Sequence, residues 1–438
     1  MTHDISITES IIQLTNMKHI PVESIAVMRL SMLDWLGVAL AGKDEPVSQN
    51  IRKFALSEAG ASQASLIGTR HKLPARAAAL VNGTTSHALD YDDTHFAHIG
   101  HPSVAILPAA FAIAEMIGAS RQSTLEAALI GCEASCRIGM WLGRDHYQHG
   151  FHQTASAGTF GATIAASRLL GLSHATIQHA LGLASTRASG LKSQFGTMGK
   201  PFHAGMAASN GVEAALLAKG GFISQVDGLE GPQGFGPTHA GENKSFDEPR
   251  NSFVFDSIQH KFHACCHGTH ATLEALDALA TQHTIDLNKI ANIEITVHSR
   301  WLTVCDIKKP TTGLEAKFSY CVTAAAKLAG YNTGALDTFS DELCSMPEIL
   351  KIAEKVMVKT DDTLPETAAG VSIQLNSGED LQRDHDLDQL LDYKVREEKI
   401  MNKVGALIGF EKMKRIWELL DRPASYDHPF NLEILLVA

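Results

Sequence analysis

Apolar positions recur at helical spacing through most of the first 250 residues, and period-2 alternation is absent there. The pattern predicts helices over 5–17, 21–41, 48–59, 73–88, 104–117, 123–143, 160–170 and 174–190. In the second of these, Leu30, Leu33, Leu36, Val38 and Leu40 form a broad apolar face. Pro21 suits its first turn and Gly42 its end. Alanine and glycine dominate several of these segments, so the helices can approach closely and a compact all-helical domain is expected. Residues 222–252 read as loop, with Gly, Pro and charge clusters. The pattern then changes. Residues 292–301, 354–362 and 369–378 alternate and are rich in β-branched side chains, the marks of half-buried strands, with helical text at 316–330 and 346–353. Helical periodicity returns from about 389. Strands and helices mixed in this way predict an α+β module that follows a helical domain.

One stretch departs from the apolar background. Between Leu80 and Pro108 the chain carries Asp90, Asp92, Asp93 and Thr94 together with His87, His95, His98 and His101, flanked on both sides by apolar helical text. Burying such a polar island costs free energy unless its groups are paired or used; a helix cap or a solvated loop is the plain alternative. His95, His98 and His101 stand at i, i+3, i+6, a spacing that on a helix suggests a metal site. Gly100 and Pro102 interrupt such a helix, no HExxH is present and no cysteine is near, so no metal is expected. His149, His152 and Thr154 precede a small-residue helix start, where backbone N–H groups can hold a carboxylate. Lys200 and His203 lie in GTMGKPFHAG, read as a flexible segment between helices. Lys261, Cys265 and Cys266 share HKFHACCHGTH with four histidines, a weak match to a zinc site. Lys317 and Ser319 stand at a helix start in AKFSYC, where simple capping is the alternative.

Composition narrows the chemistry. A chain of 438 residues is long for one core, so two domains are expected. With 45% hydrophobic and 19% charged residues it is globular in composition, and its formal net charge of -11 argues against nucleic acid or an anionic membrane as the main partner. A small anionic substrate is not excluded, since a pocket can oppose the global sign. Seven scattered cysteines fit reduced thiols better than a disulfide framework. MTHDISITES shows no signal-peptide pattern, and no apolar run is read as reaching the roughly 18 residues that span a bilayer. A soluble, cytoplasmic protein is expected. There is no GxGxxG after a strand, no GxxxxGK[ST] and no GxSxG. What remains is proton chemistry on an anion, with Lys or a protonated His stabilising negative charge while another His or Asp moves the proton.

Several segments in this order resemble the MmgE/PrpD family: MLDWLGVALAG (32–42), ALVNGTTSHALDYDDTHFAHIGHPS (79–103), GFHQTASAGTFGA (150–162), GTMGKPFHAGMAASNGVEAALLAKGGF (196–222), KFHACCHGTH and AKFSYC. The resemblance covers nearly the whole chain. It implies a mainly α fold with a large all-helical domain built from both chain ends (1–265 and 395–438) and a smaller α+β lid domain (266–394). It also implies a homodimer, a site between the domains, and no metal or organic cofactor. By motif position it makes His101, His152, Asp90 and Lys200 catalytic, with Thr94, Lys261, Cys265, Lys317 and Ser319 contacting substrate. The expected substrate is a small di- or tricarboxylate that loses a proton next to a carboxylate. Dehydration of the 2-methylcitrate kind is placed first, epimerisation of an iminodisuccinate-like compound second, and decarboxylation of the cis-aconitate kind third. A carboxylate-binding protein without catalysis is the non-enzyme alternative, and the intact Asp90, His101, His152 and Lys200 speak against it.

Overall fold

The computed structural model describes residues 6–245 and 252–422, so the last residues of the loop expected at 222–252 lie mostly outside the described residues. The chain divides into two compact units, the described parts of Met1–His260 with Ile408–Ala438, and Lys261–Leu407.

The first unit is helical: α1 (Ile7–Thr15), α2 (Val22–Ala41), α3 (Pro46–Glu58), α4 (Ala75–Ser86), α5 (Pro102–Ile117), α6 (Arg121–Gln148), α7 (Gln153–Leu169), α8 (His174–Ser185), α9 (Gly199–Lys219) and the short α10 (Phe235–Thr238). A two-residue antiparallel ladder, β1 (Ala64–Ser65) with β2 (Lys72–Leu73), is the strand content here that the sequence pattern did not show. The helices pack at backbone distance because their facing residues are small. A Cβ on Gly83 of α4 would lie 2.7 Å from Gly205 Cα of α9, and one on Gly205 would lie 2.2 Å from both the Leu80 carbonyl and Thr84 Oγ1. Gly131 of α6 and Gly161 of α7 approach each other's carbonyls in the same way, and Gly158 of α7 meets Ala105 of α5. Within α6, Gly143 takes φ 72 and joins two helical stretches, which is why the apolar pattern stops at 143 while helix continues to Gln148. Arg144 and Asp145 N–H groups, left without helical partners by that break, donate to Glu242 Oε1 at 2.8 and 3.1 Å.

Two expectations need correction. The segment with Lys200 and His203 is not flexible: both residues sit in the first turns of α9, whose Pro201 fits there because an early helical N–H needs no partner. Val22–Asp44 does reach the length and apolarity of a membrane span, but 83% of that window is buried inside the protein, so among the described residues it serves as a core helix.

The second unit holds α11 (His270–Gln282), β3 (Ile290–Val297), α12 (Gly313–Ala316), α13 (Tyr320–Leu328), α14 (Pro347–Ala353), β4 (Val356–Thr360), β5 (Ala368–Leu375), β6 (Asp380–Asp386) and α15 (Tyr393–Ile408). Its sheet runs β4-β3-β5-β6, with β3 parallel to β4 and the other pairs antiparallel. Ile293, Ile295 and Val297 of β3 are buried, as alternation predicts. The strand β6, DLQRDHD, has no apolar alternation; it is an edge strand held by its ladder to β5, which composition does not reveal. The unit boundaries differ from 265/266 and 394/395 for identifiable reasons. Gln259 pairs with Thr94 through both backbone bonds and His260 bonds Ser31, so the chain belongs to the first unit up to that point. Lys399 of α15 reaches Glu274 of α11 at 2.5 Å, which keeps α15 in the second unit. The last helix, α16 (Phe410–Leu420), returns to the first unit, where Arg121 donates to the Leu419 carbonyl at 2.7 Å.

The glycine contact between α4 and α9 generates a prediction. Gly205→Ala places a methyl group where no space exists and is expected to lower stability by about 1–3 kcal/mol, read as the midpoint of chemical denaturation. Gly220→Ala, past the end of α9, where a Cβ would stand 3.3 Å from the Leu217 carbonyl, is expected to change it little. Equal midpoints for the two variants would show that the α4–α9 approach is not rigid.

Candidate active site

Three helices begin around the polar island. His101 is the N-cap of α5, His152 the N-cap of α7, and Lys200 lies in the first turn of α9. Thr154 Oγ1 accepts the His101 N–H at 3.0 Å, which fastens the start of α5 to the first turn of α7. His152 Nδ1 lies 3.0 Å from His203 Nδ1 on α9. Helix N-termini present unpaired N–H groups and partial positive charge, a setting that favours a carboxylate.

The chain from α4 to α5 is not a helix, and this decides the fate of the three carboxylates. Asp90 takes φ 51, a left-handed conformation that aspartate tolerates better than most residues. Its side chain is 50% exposed, with Oδ2 2.7 Å from Lys200 Nζ and Oδ1 3.6 Å from His101 Nε2. Asp92 is fully buried, its Oδ1 2.8 Å from His87 Nδ1 and its Oδ2 2.8 Å from His101 Nδ1. Asp93 accepts the Ser103 hydroxyl at 2.5 Å and the Ser103 N–H at 3.3 Å, and so caps the first turn of α5. His101 Nδ1 is also 2.8 Å from the Asp93 carbonyl, toward which its N–H points. With Nδ1 carrying the proton, Nε2 is the nitrogen left for chemistry.

Burial sets the charges. Burial alone would raise the Asp92 carboxyl, but the attraction and hydrogen bonds of His87 and His101 outweigh it and hold the group well below the usual carboxylate range. Burial, with Asp34 and Asp92 nearby, pushes Asp93 up to about 7 against the Ser103 hydrogen bonds. Burial holds His152 well below the ordinary histidine value, reinforced by His87 and Lys200. It lowers His203 to about 4 in the same way. The site thus combines an ionised buried carboxylate at Asp92, neutral imidazoles at His152 and His203, and a lysine. The rings pack together, with His87 and His101 centroids 4.7 Å apart, His87 and His152 6.2 Å, and Phe195 4.9 Å from His152. Lys200 Nζ stands 5.4 Å from the Phe195 ring.

Asp90, His101, His152 and Lys200 therefore come together, although the carboxylate that reaches His101 Nδ1 is Asp92. Thr94 is half-buried and pairs with Gln259 through its backbone. Four neighbours had no assigned role from sequence: His87, Asp92, His203 and Phe195. The signal was present for three of them in DYDDTH, HALD and KPFH, but single-chain spacing does not say which polar residues face each other. The i, i+3, i+6 histidines separate. His95 Nε2 bonds the Val254 carbonyl at 2.9 Å and the Ser257 hydroxyl at 2.8 Å, and His98 is buried against Gly139, where a Cβ would stand 1.9 Å from its Nδ1. His149 is exposed. A different set, His87, Asp90, Asp92 and His101, brings one ligand-type atom each within 4.8 Å of one another and could hold a metal ion. In the present geometry Asp92 is engaged by both imidazoles and Asp90 by Lys200.

In the second unit, Lys261 is buried and Lys317 half-buried. Cys265 Sγ lies 3.0 Å from Thr269 Oγ1, and burial pushes its thiol up to about 12. Ser319 is fully buried and its hydroxyl accepts the Val322 N–H at 3.3 Å, the capping geometry of α13.

The buried histidines fix the sign of a pH dependence. His95, His146 and His203 are lowered to about 4, and His98, His152 and His270 well below the ordinary value, in each case chiefly by burial. Between about pH 4 and 6.5 the unfolded chain binds protons that these native imidazoles refuse, so stability rises with pH across that window. Asp93 and Glu133, raised by burial, run the other way and are outnumbered. Thermal melts are expected to show a lower Tm at pH 5 than at pH 7 in the same salt. A Tm that is flat or rises on acidification would contradict the neutral-histidine core.

Residues 9–247 match the MmgE/PrpD N-terminal domain and residues 263–419 the MmgE/PrpD C-terminal domain. A cis-aconitate decarboxylase of Aspergillus terreus is 26% identical, over 95% of this chain and 92% of its own length. The human cis-aconitate decarboxylase is 32% identical over 54% of this chain and 50% of its own, and the mouse protein of the same name 26% over 81% and 76%. With both domains matched in order, the chain belongs to the MmgE/PrpD family of enzymes.

Proposed function

We propose that this protein is a lyase that decarboxylates a small unsaturated tricarboxylate of the cis-aconitate kind, without a metal or organic cofactor. The observation that carries the reading is His101, held by Asp92 and the Asp93 carbonyl, beside the Lys200–Asp90 pair where three helices begin. Such a site binds an anion and moves one proton. The fungal relative matched over nearly its full length is named a cis-aconitate decarboxylase, which moves decarboxylation ahead of the dehydration favoured on sequence.

A substrate carboxylate takes the place of Asp90 beside Lys200, with the N-termini of α5 and α7 contributing positive potential. When the carbon–carbon bond to a second carboxylate breaks, CO2 leaves and the electron pair stays on carbon. Lys200 and the helix termini stabilise that developing negative charge. His101 Nε2 delivers a proton to the carbon, and Asp92 stabilises the imidazolium before transfer. His152, neutral and packed between His87, Phe195 and His203, is its partner in handling the proton. The substrate contacts assigned to Thr94, Lys261, Cys265, Lys317 and Ser319, and assembly as a homodimer, belong to this proposal on the strength of the family resemblance.

Proton NMR in heavy water tests the reaction, with cis-aconitate, 2-methylcitrate and an iminodisuccinate-type acid offered separately. Release of CO2 from the first, with one deuterium entering the product, is expected. Water loss from 2-methylcitrate instead would restore dehydration, and no turnover of any acid would leave a binding protein. In the same assay His101→Asn and His152→Asn are expected to remain folded and lose about 10²–10⁴ in kcat; wild-type turnover by either removes that residue from the proton path. Turnover is also expected to survive exhaustive chelation. Loss restored by one particular metal would make His87, Asp90, Asp92 and His101 its ligands.

A further inference from the structure

The cysteine-rich run of the second unit has no part in the proton chemistry, yet it brings two sulfurs together. Cys305 Sγ donates to Cys266 Sγ at 3.2 Å, across 39 residues of chain. Cys265, the sequence neighbour of Cys266, turns instead to Thr269 Oγ1. Both members of the sulfur pair sit on firmly bonded backbone. Cys266 N–H donates to the Lys317 carbonyl at 2.9 Å, and its own carbonyl accepts from Thr269 at 3.0 Å. Cys305 N–H donates to the Trp301 carbonyl at 2.7 Å, and its carbonyl accepts from Tyr320 at 3.2 Å. The Tyr320 hydroxyl reaches across to the Gly268 carbonyl at 2.8 Å, and a Cβ on Gly268 would lie 2.4 Å from the Trp301 ring and 2.9 Å from Cys305 Sγ. The two segments are thus pressed together at the point where the sulfurs meet. Bond formation at about 2.05 Å asks for a further approach of only about 1.2 Å, within reach of small side-chain rotations.

The two sulfurs are not equivalent. Cys305 is fully buried, and its hydrogen bond to Cys266 and its burial keep it a protonated thiol. Cys266 is half-buried and accepts that hydrogen bond, so it is the sulfur that meets a reagent from solvent. The geometry points to a peroxide-sensitive dithiol formed by Cys266 and Cys305. The Cys266 sulfur attacks hydrogen peroxide: an S–O bond forms, the O–O bond breaks and, with one proton transferred, water leaves, so that Cys266 becomes a sulfenic acid. The Cys305 sulfur then attacks the Cys266 sulfur: the S–S bond forms, the S–O bond breaks, and the second water departs with the Cys305 proton. In sum two thiols and one peroxide give one disulfide and two waters. None of the seven cysteines is disulfide-bonded in the structure, which is the reduced state of this device.

The link would join the run that carries Lys261 and Cys265 to the segment that the Asp306–Ser319 bridge ties to Lys317. Insofar as those residues contact substrate, which rests on the proposed function, oxidation is expected to raise KM reversibly. The chemical test does not depend on that reading. The full-length protein is treated with a small molar excess of hydrogen peroxide, capped with iodoacetamide, digested and mapped without reduction. A peptide pair joined through Cys266 and Cys305, lost on dithiothreitol treatment, is expected. In Cys305→Ser the same treatment is expected to leave a sulfenic acid on Cys266 that dimedone traps. A Cys265–Cys266 link, or peroxide oxidation at other cysteines with this pair untouched, would overturn the assignment. Mapping of the wild-type protein decides this even if the variant folds poorly. A disulfide that forms while KM stays constant would retain the dithiol and remove its effect on substrate binding.

Discussion

The backbone contact between Gly83 of α4 and Gly205 of α9 sets the distance on which the site depends. A glycine inside a helix costs about 1 kcal/mol relative to alanine, so two of them facing each other are retained for what they permit. Here they let the end of α4, which leads into His87, lie against the start of α9, which carries Lys200 and His203. The Gly158–Ala105 contact does the same for α7 and α5, whose N-caps are His152 and His101. Larger side chains at these positions would move the helix starts apart, and the hydrogen bonds His101 N–Thr154 Oγ1 and His152–His203 would no longer close.

Once the helix starts converge, electrostatics follows from which polar groups have a partner. Asp92 lies between two imidazoles and stays ionised although buried, whereas Asp93, one residue later, meets a serine and another carboxylate and is raised to about 7. Asp90 faces solvent and pairs with Lys200. Neighbouring carboxylates in one motif thus take three positions: a charge between two histidines, a cap for α5, and a half-exposed partner for a lysine. Removing one partner from a buried pair leaves an uncompensated charge worth roughly 3–5 kcal/mol, so the Asp92 arrangement is tied to folding as well as to chemistry. Backbone strain sits in the same stretch: Ile99, a β-branched residue, takes φ 56, a conformation that persists only where surrounding contacts over-determine it.

The second unit solves a different problem with the same rule. Glu274 is buried on α11 and is held ionised by His263 and by Lys399, 2.5 Å away on α15. That pairing fixes α15 to the sheet-bearing unit. On the neighbouring run, Gly268 and Tyr320 bring Cys266 against Cys305. In both cases a buried polar group finds its partner far away along the chain, and that partner defines the local structure.

Periodicity alone determined the helices of the first unit, the change to an α+β pattern near residue 290, and the polar island as the place where chemistry is concentrated. These are local properties: apolar spacing, β-branching and the position of proline and glycine act over a few residues. The family motifs added Asp90, His101, His152 and Lys200 as a group. Tertiary structure decided what local pattern cannot carry. The strand β6 is polar and exists because β5 offers it a ladder. The segment around Lys200 reads as loop from its glycines and proline, and is helix because α4 packs against it. Asp92 and the Asp93 carbonyl, rather than Asp90, flank His101 Nδ1, while Asp90, at φ 51, turns to Lys200 on the half-exposed side. His95, His98 and His101, evenly spaced in sequence, diverge because each meets a different neighbour: Ser257 and the Val254 carbonyl for His95, Gly139 for His98, and Asp92 with the Asp93 carbonyl for His101. Pairing of buried polar groups is a long-range property, set by which backbones can approach closely enough.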